Sequence, residues 1–269
     1  MADLHLTSLH NPRVKALLAL SRRRVRDAEG LTVVEGHDEL ALAVEAGVRP
    51  HTFYYCPELA PPLSAALVKR IRALSAPVVR LSREVFERVA YREGPDGFLA
   101  TVPSPGMSLA RLPLSARPFL LVCEGIEKPG NLGAMLRTAE AAGVEAVIAA
   151  DSVTDWGNPN VVRASKGTVF SVPVARATLA ETLSWLQAHG IPLVATTPDT
   201  DAVHTEVDYR GPVALAVGAE STGLTDAALA AAAHRVRIPM AGHVNSLNAA
   251  TAAAIVIYEV VRQRSGEST

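Results

Sequence analysis

The chain of 269 residues is 49% hydrophobic and 20% charged, long enough for one or two domains and too apolar to be disordered throughout. Its formal net charge of −1 excludes a uniformly basic coat, yet the charge is unevenly spread: residues 1–117 hold 16 Lys and Arg against 12 Asp and Glu, residues 118–269 hold 10 against 15. The early excess is concentrated in Arg13, Lys15, Arg22, Arg23, Arg24 and Arg26, a pattern that suits contact with a polyanion as well as it suits a solvated basic helix.

The elements alternate along the chain. A basic helix is expected over 17–26, then a strand at 31–36, a helix at 37–47, a strand at 51–56, a helix at 63–74, a strand at 77–82, a helix at 83–91 and a strand at 98–102. This makes a small α/β unit over residues 1–105. Pro103, Pro105, Gly106, Pro113 and Pro118 then punctuate the chain, and 106–117 reads as a linker. Beyond it, in 118–269, the strands FLLVCEG (119–125), EAVIAA (145–150), IPLVATT (191–197) and VALAVG (213–218) are apolar on both faces. Such runs indicate an open parallel sheet covered by helices on both sides, with helices expected at 131–142, 159–167, 178–189, 225–233 and 246–264. Ligands of such sheets collect at the carboxyl ends of the strands.

Cys56 and Cys123 lie far apart in strand-like runs and form no CxxC, so they read as buried thiols; neither a disulfide framework nor a metal site is expected. The N-terminus carries charges and a proline where a secretion signal needs an apolar core, and the most apolar stretch, Ala249 to Tyr258, is too short to span a bilayer. A cytoplasmic protein without membrane attachment is the expectation.

Three loops carry candidate chemistry. After the strand at 119–125 comes EGIEKPGNLGAMLRTAEAAG, in which Asn131 suits an N-cap, Gly143 suits the position just past the helix end, and Gly133 and Arg137 share a helix face. The loop contains neither GxxxxGK[ST] nor GxGxxG, which removes the Walker A and dinucleotide-fingerprint readings. After the strand at 213–218 comes VGAESTGL, which places Gly218 and Glu220 at a strand's carboxyl end; Glu220 could serve a ligand or cap the helix near Thr225. The third, RIPMAGHVNSLNAAT, leads through a tight turn to Ser246, Leu247 and Asn248 at the head of an alanine-rich helix, with Ser246 a candidate N-cap and His243 a surface residue.

Taken together, N-x-G-x-x-x-R-T (131–138), G-x-E-x-x-G (218–223) and I-P-M with S-L-N (238–240 and 246–248) resemble the three signature motifs of the SpoU (TrmH-like) RNA 2′-O-ribose methyltransferases of the SPOUT group. NPNVVRASKGTVFSVPV (158–174) is similar to the segment this family places between its first two motifs, and LTSLHNPRVKALLAL with LTVVEGHDELALAVEAGV is similar to its N-terminal substrate-binding domain. The resemblance implies an α/β SPOUT domain with a deep trefoil knot, preceded by a small ribosomal-protein-like (L30e-like) α/β domain. It implies S-adenosylmethionine held by Thr196, Thr197, Gly218, Ile238, Met240 and Leu247, and a catalytic set of Arg137, Asn131, Glu220, Ser246 and Asn248. It also implies a homodimer, and RNA contacts from Arg13, Lys15, Arg22, Arg23, Arg24 and Arg26. The expected substrate is 23S ribosomal RNA; transfer RNA and a catalytically silent RNA-binding protein are the alternatives. The resemblance is compatible with housekeeping modification and with protection against a ribosome-targeting antibiotic, a role some relatives have.

Overall fold

The computed structural model describes residues 3–62, 64–244 and 246–266, which divide into two compact units: Met1–Pro105 with Trp156–Ser171, and Gly106–Asp155 with Val172–Thr269. In the first unit the chain runs β1 (Leu4–Leu6), α1 (Pro12–Ala19), α2 (Arg23–Glu29), β2 (Leu31–Glu35), α3 (His37–Glu45), β3 (Thr52–Tyr55), α4 (Ala65–Ala73), β4 (Val78–Leu81), α5 (Arg83–Val89) and β5 (Phe98–Pro103). The five strands are ordered β1-β4-β3-β5-β2, with β4 parallel to β1 and β3, and β5 antiparallel to β3 and β2. Val14 and Leu17 of α1, Val85 and Phe86 of α5, and Val33, Val79 and Leu99 of the sheet share one core. Leu63, the first residue of the expected 63–74 helix, lies outside the described residues.

The expected basic helix is two helices. Asn11 caps α1 by accepting from the Arg13 amide, Pro12 occupies the first helical turn, and α1 ends before Leu20. The break has a use for Arg26: its guanidinium turns inward, only 2% exposed, and Nη1 donates to the carbonyls of Leu20 (3.0 Å) and Ser21 (2.9 Å) at the turn between the helices. Those carbonyls have no partner within α1, so a buried cation satisfies them. Arg26 is therefore a structural residue, and its assignment to RNA contact is corrected.

Residues 156–171 also depart from the expected domain limits, since they group with the first unit. α7 (Pro159–Ala164) starts at Asn158, whose side chain accepts from the Asn160 amide, and a single 3-10 turn follows at Thr168–Phe170. Trp156, Val161, Val162 and Val169 are buried, and Thr32 Oγ1 donates to the Gly157 carbonyl. Gly167, at φ 82°, lies so close to α3 that a Cβ there would stand 2.9 Å from the Glu39 carbonyl oxygen. The buried Glu39 carboxylate pairs with Lys166 Nζ at 3.4 Å.

The second unit contains β6 (Phe119–Glu124), α6 (Pro129–Ala141), β7 (Ala146–Ala150), β8 (Val174–Ala177), α8 (Leu179–Ala188), β9 (Leu193–Thr196), β10 (Val213–Val217), α9 (Asp226–Ala231), β11 (His234–Val236) and α10 (Ala249–Ser265). All six strands are parallel, in the order β11-β9-β10-β6-β7-β8. Leu120, Val122, Ile148, Ala195 and Ala216 point to the core shared with α8 and α9, while Cys123 faces Met135 of α6, with α10 packed on α6 and β10. Both cysteines are free and buried. The segment 106–117 is part of this unit: the Met107 amide donates to Val174, and Leu112 is buried in the core. No described helix is long and apolar enough to cross a membrane.

Candidate active site

From β6 the chain proceeds to β7 and β8 on one side, then crosses to β9, β10 and β11 on the other. The strand order thus reverses at the β6/β10 pair, and in open parallel sheets a crevice opens beyond the carboxyl ends of such a pair. All three motif loops leave from this edge.

The first loop turns at Gly125 (φ 64°), and Ser152 Oγ donates to the Ile126 carbonyl at 2.7 Å. Pro129 then opens α6, preset for a first helical turn by its ring. Asn131 is therefore already inside the helix and not its cap. Its side chain is released for another purpose: Nδ2 donates to Glu220 Oε1 at 3.0 Å. Gly143 lies just past the helix end at φ 72°, as its position after the apolar run implied.

The second loop folds back on itself. A Cβ on Gly218 would lie 2.1 Å from the Gly223 carbonyl carbon and 2.4 Å from the Leu224 nitrogen, so the close approach this glycine permits is to its own loop. The turn is closed by the Gly223 amide donating to Ala219 at 2.9 Å. Glu124, buried at the end of β6, accepts from the Thr225 amide and ties the loop to the neighbouring strand. Thr225, not Glu220, caps α9, accepting from the Ala228 amide.

In the third loop the cap of α10 is Asn248 and not Ser246: its Oδ1 accepts from the Ala250 (3.0 Å) and Thr251 (3.3 Å) amides. This fixes the amide orientation, so Nδ2 must face away from the helix, where it donates to Glu220 Oε1 (2.5 Å) and Asn131 Oδ1 (3.1 Å). His243 is exposed, as expected.

A cavity of about 330 Å³ lies between the second and third loops and the turn that follows β9. Thr196, Thr197, Gly218, Glu220, Ile238, Met240, Ser246 and Leu247 line it, together with Pro198, Asp199, Val217, Thr222, Leu224 and Leu229, among others. Its walls are largely apolar with a few convergent polar groups, the usual make-up of a small-molecule site. Thr196 Oγ1 is buried without a hydrogen-bond partner among the described residues, while Thr197 Oγ1 accepts from the Asp199 amide at 3.2 Å. Of the expected catalytic residues, Glu220 and Ser246 line this cavity, Asn131 and Asn248 are joined to it through their hydrogen bonds to Glu220, and Arg137 is not among them. Arg137 lies about 9 Å along α6 from Asn131 and about 240° around it. It is exposed, and among the described residues it has no hydrogen-bond or ion-pair partner.

Two residues that the sequence analysis passed over belong to this site. Lys128 pairs with Glu220 Oε2, and Glu124 anchors the second loop. Lys128 had a signal in the sequence, a lone cation among Gly and Pro three positions before Asn131. Glu124 had none, since its burial depends on the loop that returns to it. In the first unit Arg13, Lys15, Arg22 and Arg24 are exposed, whereas Arg23 is half-buried and pairs with Asp27 at 3.6 Å.

Comparison with known proteins accords with this architecture. Residues 118–258 match the SpoU rRNA Methylase family, and residues 11–100 match an MRM3-like substrate binding domain. The chain is 33% identical over 267 residues to an uncharacterized tRNA/rRNA methyltransferase of Synechocystis, covering 98% of this chain and 96% of that one. It is 32% identical to the 23S rRNA (uridine(2479)-2′-O)-methyltransferase of Streptomyces viridochromogenes, over 93% and 88% of the two chains. The crystal structure of the SpoU methyltransferase AviRb from that organism, in complex with the cofactor AdoMet, superposes with a TM-score of 0.88 at 31% identity, over 95% of this chain and 99% of AviRb. The family match over 118–258 and the superposition on AviRb place this α/β fold with its parallel sheet among the SPOUT-type methyltransferases. The chain belongs to the SpoU methylase family.

Proposed function

We propose that this protein is an S-adenosylmethionine-dependent RNA 2′-O-ribose methyltransferase acting on 23S ribosomal RNA. The observation that carries the reading is the cavity at the carboxyl ends of β9 and β10, lined by the second and third family motifs and tied to Asn131 of the first through Glu220, in a chain that matches a 23S ribosomal RNA 2′-O-methyltransferase over nearly its whole length. The cavity residues fit the cofactor: Val217, Leu224, Ile238, Met240 and Leu247 offer an apolar bed, and the unpartnered Thr196 hydroxyl with the Asp199 carboxylate offers hydrogen-bonding capacity. S-adenosylmethionine, when bound, supplies an electrophilic methyl group. The protein's task is then to position a ribose hydroxyl beside it, because alignment counts for more than acid catalysis in a displacement at carbon. Asn131, Glu220, Ser246 and Asn248 set the geometry at the cavity mouth, and Arg137 holds the RNA phosphate beside the acceptor ribose.

The deciding experiment is transfer of labelled methyl to separated 23S ribosomal RNA and transfer RNA, followed by mapping of ribose methylation. A single 2′-O-methylated nucleotide in 23S RNA is expected. Label in transfer RNA alone would favour the other substrate, and no label in either would remove the assignment.

The first unit supplies RNA affinity through Arg13, Lys15, Arg22, Arg23 and Arg24, in the cytoplasm where ribosomal RNA is found. With aromatics at 4% of the chain, phosphate contact and shape outweigh stacking. Each lost phosphate contact lowers the slope of log affinity against log salt by about 0.7–0.9. Replacing Arg13, Lys15, Arg22 and Arg24 by Gln should therefore flatten that slope measurably; an unchanged slope returns these residues to the solvated surface.

The protein is also proposed to act as a homodimer. α10 satisfies its small-residue face against α6 within the same unit, but it leaves Tyr258 49% exposed, a large apolar side chain suited to a subunit contact. Light scattering at micromolar concentration should give twice the chain mass, and a monomer there would contradict the proposal.

A further inference from the structure

Glu220 stands between two cavities. On one side is the 330 Å³ cavity described above; on the other is a smaller one of about 230 Å³, bounded by Lys128, Asn131, Ser221 and Glu220 itself. The two oxygens of this carboxylate have divided partners: Oε2 receives the Lys128 ammonium, and Oε1 receives both Asn131 Nδ2 and Asn248 Nδ2. Asn248 cannot flip, because its oxygen caps α10. Its Nδ2 also donates to Asn131 Oδ1, so Asn131 must present its own Nδ2 to Glu220. The donors thus run in one direction and end on one oxygen, and that arrangement holds only while the carboxylate keeps its rotation. The Lys128 side chain is 70% exposed, and an ion pair so exposed contributes little to stability.

We propose that Lys128 is a positioning residue: by holding Oε2 it keeps Glu220 turned so that Oε1 serves both asparagine amides, and so maintains the wall between the two cavities in its working geometry. This rests on the function proposed above. The electrostatics act in the same direction, since the Lys128 hydrogen bond, then that of Asn131, holds the Glu220 carboxyl below its ordinary range. Besides Lys128 from the β6–α6 loop, the groups around Glu220 are the neutral Asn131 of α6 and Asn248 at the head of α10. The other charged residues that line the two cavities are Glu127, beside Lys128 in the same loop, and Asp199 of the larger cavity.

Lys128→Met and Lys128→Arg test the assignment. In Lys128→Met the melting temperature should stay near that of the unsubstituted protein and kcat should fall on the order of tenfold, less than the roughly 10²-fold that a 1 Å misplacement costs. A carboxylate stripped of its cation protonates more readily, so the acidic limb of the kcat profile should move to higher pH. Lys128→Arg should restore kcat and limb together. Independently of turnover, carbon-detected NMR of the Glu220 carboxyl should show its titration midpoint rising in Lys128→Met, and the side-chain amide signals of Asn131 and Asn248 should shift. An unmoved midpoint overturns the proposal even if the protein methylates no RNA, so the two readings fail separately. It is equally overturned if the only effect is a higher KM for RNA with a shallower salt dependence, which would make Lys128 a phosphate contact.

Discussion

Gly218→Ala is expected to weaken S-adenosylmethionine binding at least about 100-fold, or roughly 2.7 kcal/mol. The three atoms nearest to the added methyl, at 2.1, 2.2 and 2.4 Å, are all backbone atoms of Gly223 and Leu224, so no side chain can yield and the loop must open. Opening separates Gly223 from Ala219 and carries Glu220, Thr222 and Leu224 away from the cavity they line. β10 ends at Val217, before the disturbance, so the sheet should survive with a loss of about 1–3 kcal/mol. Gly143→Ala provides the contrast. There a methyl meets nothing within 4 Å, but φ is 72° and the left-handed conformation costs about 1–2 kcal/mol. Calorimetry with the cofactor, paired with thermal melts, should find both variants less stable and only Gly218→Ala deficient in binding. Affinity within twofold of the unsubstituted protein in Gly218→Ala would show that this loop does not shape the cofactor site.

The same glycine shows what could be read from the sequence and what could not. Its place at the end of an apolar strand marked a crevice, because strands buried on both faces must be parallel and parallel sheets bind ligands at their carboxyl ends. β6, β7, β9 and β10 were legible for that reason. β1, β8 and β11 were not: LHL, VARA and HRV are short, carry polar or charged residues and lie at or next to sheet edges, where alternation has little burial to enforce it. Caps were placed wrongly in two of the three loops for a single reason. A capping residue is recognised by type, but Pro129 moved the start of α6 two residues upstream of Asn131, and Asn248 was as good a cap as Ser246 and closer to the alanine run. Both displacements matter chemically, since they free the Asn131 amide and orient that of Asn248. The placement of 156–171 in the first unit was invisible because its apolar residues, Trp156, Val161, Val162 and Val169, find partners more than a hundred residues upstream in β2 and α3.

Arg137→Ala is expected to lower kcat by about 10²–10³-fold, comparable to removing one oriented donor from a transition-state site, while cofactor affinity stays within twofold. The guanidinium is exposed on α6, lines neither cavity described above and has no partner among the described residues, so its removal should change stability by no more than about 0.5 kcal/mol. Loss of turnover without loss of fold or cofactor affinity would then report a contact made to RNA. A guanidinium, protonated throughout the neutral range, is a poor proton acceptor, and its fork instead matches two oxygens of a phosphate. Arg137→Lys separates charge from shape: a lysine keeps the attraction but presents a single ammonium, so turnover should lie between those of alanine and arginine and the RNA product should be less uniformly methylated at one ribose. Full activity in Arg137→Lys would exclude the bidentate clamp. Near-normal turnover in Arg137→Ala would take this arginine out of the reaction, leaving Asn131, Glu220, Ser246 and Asn248 as the polar groups that meet the acceptor ribose.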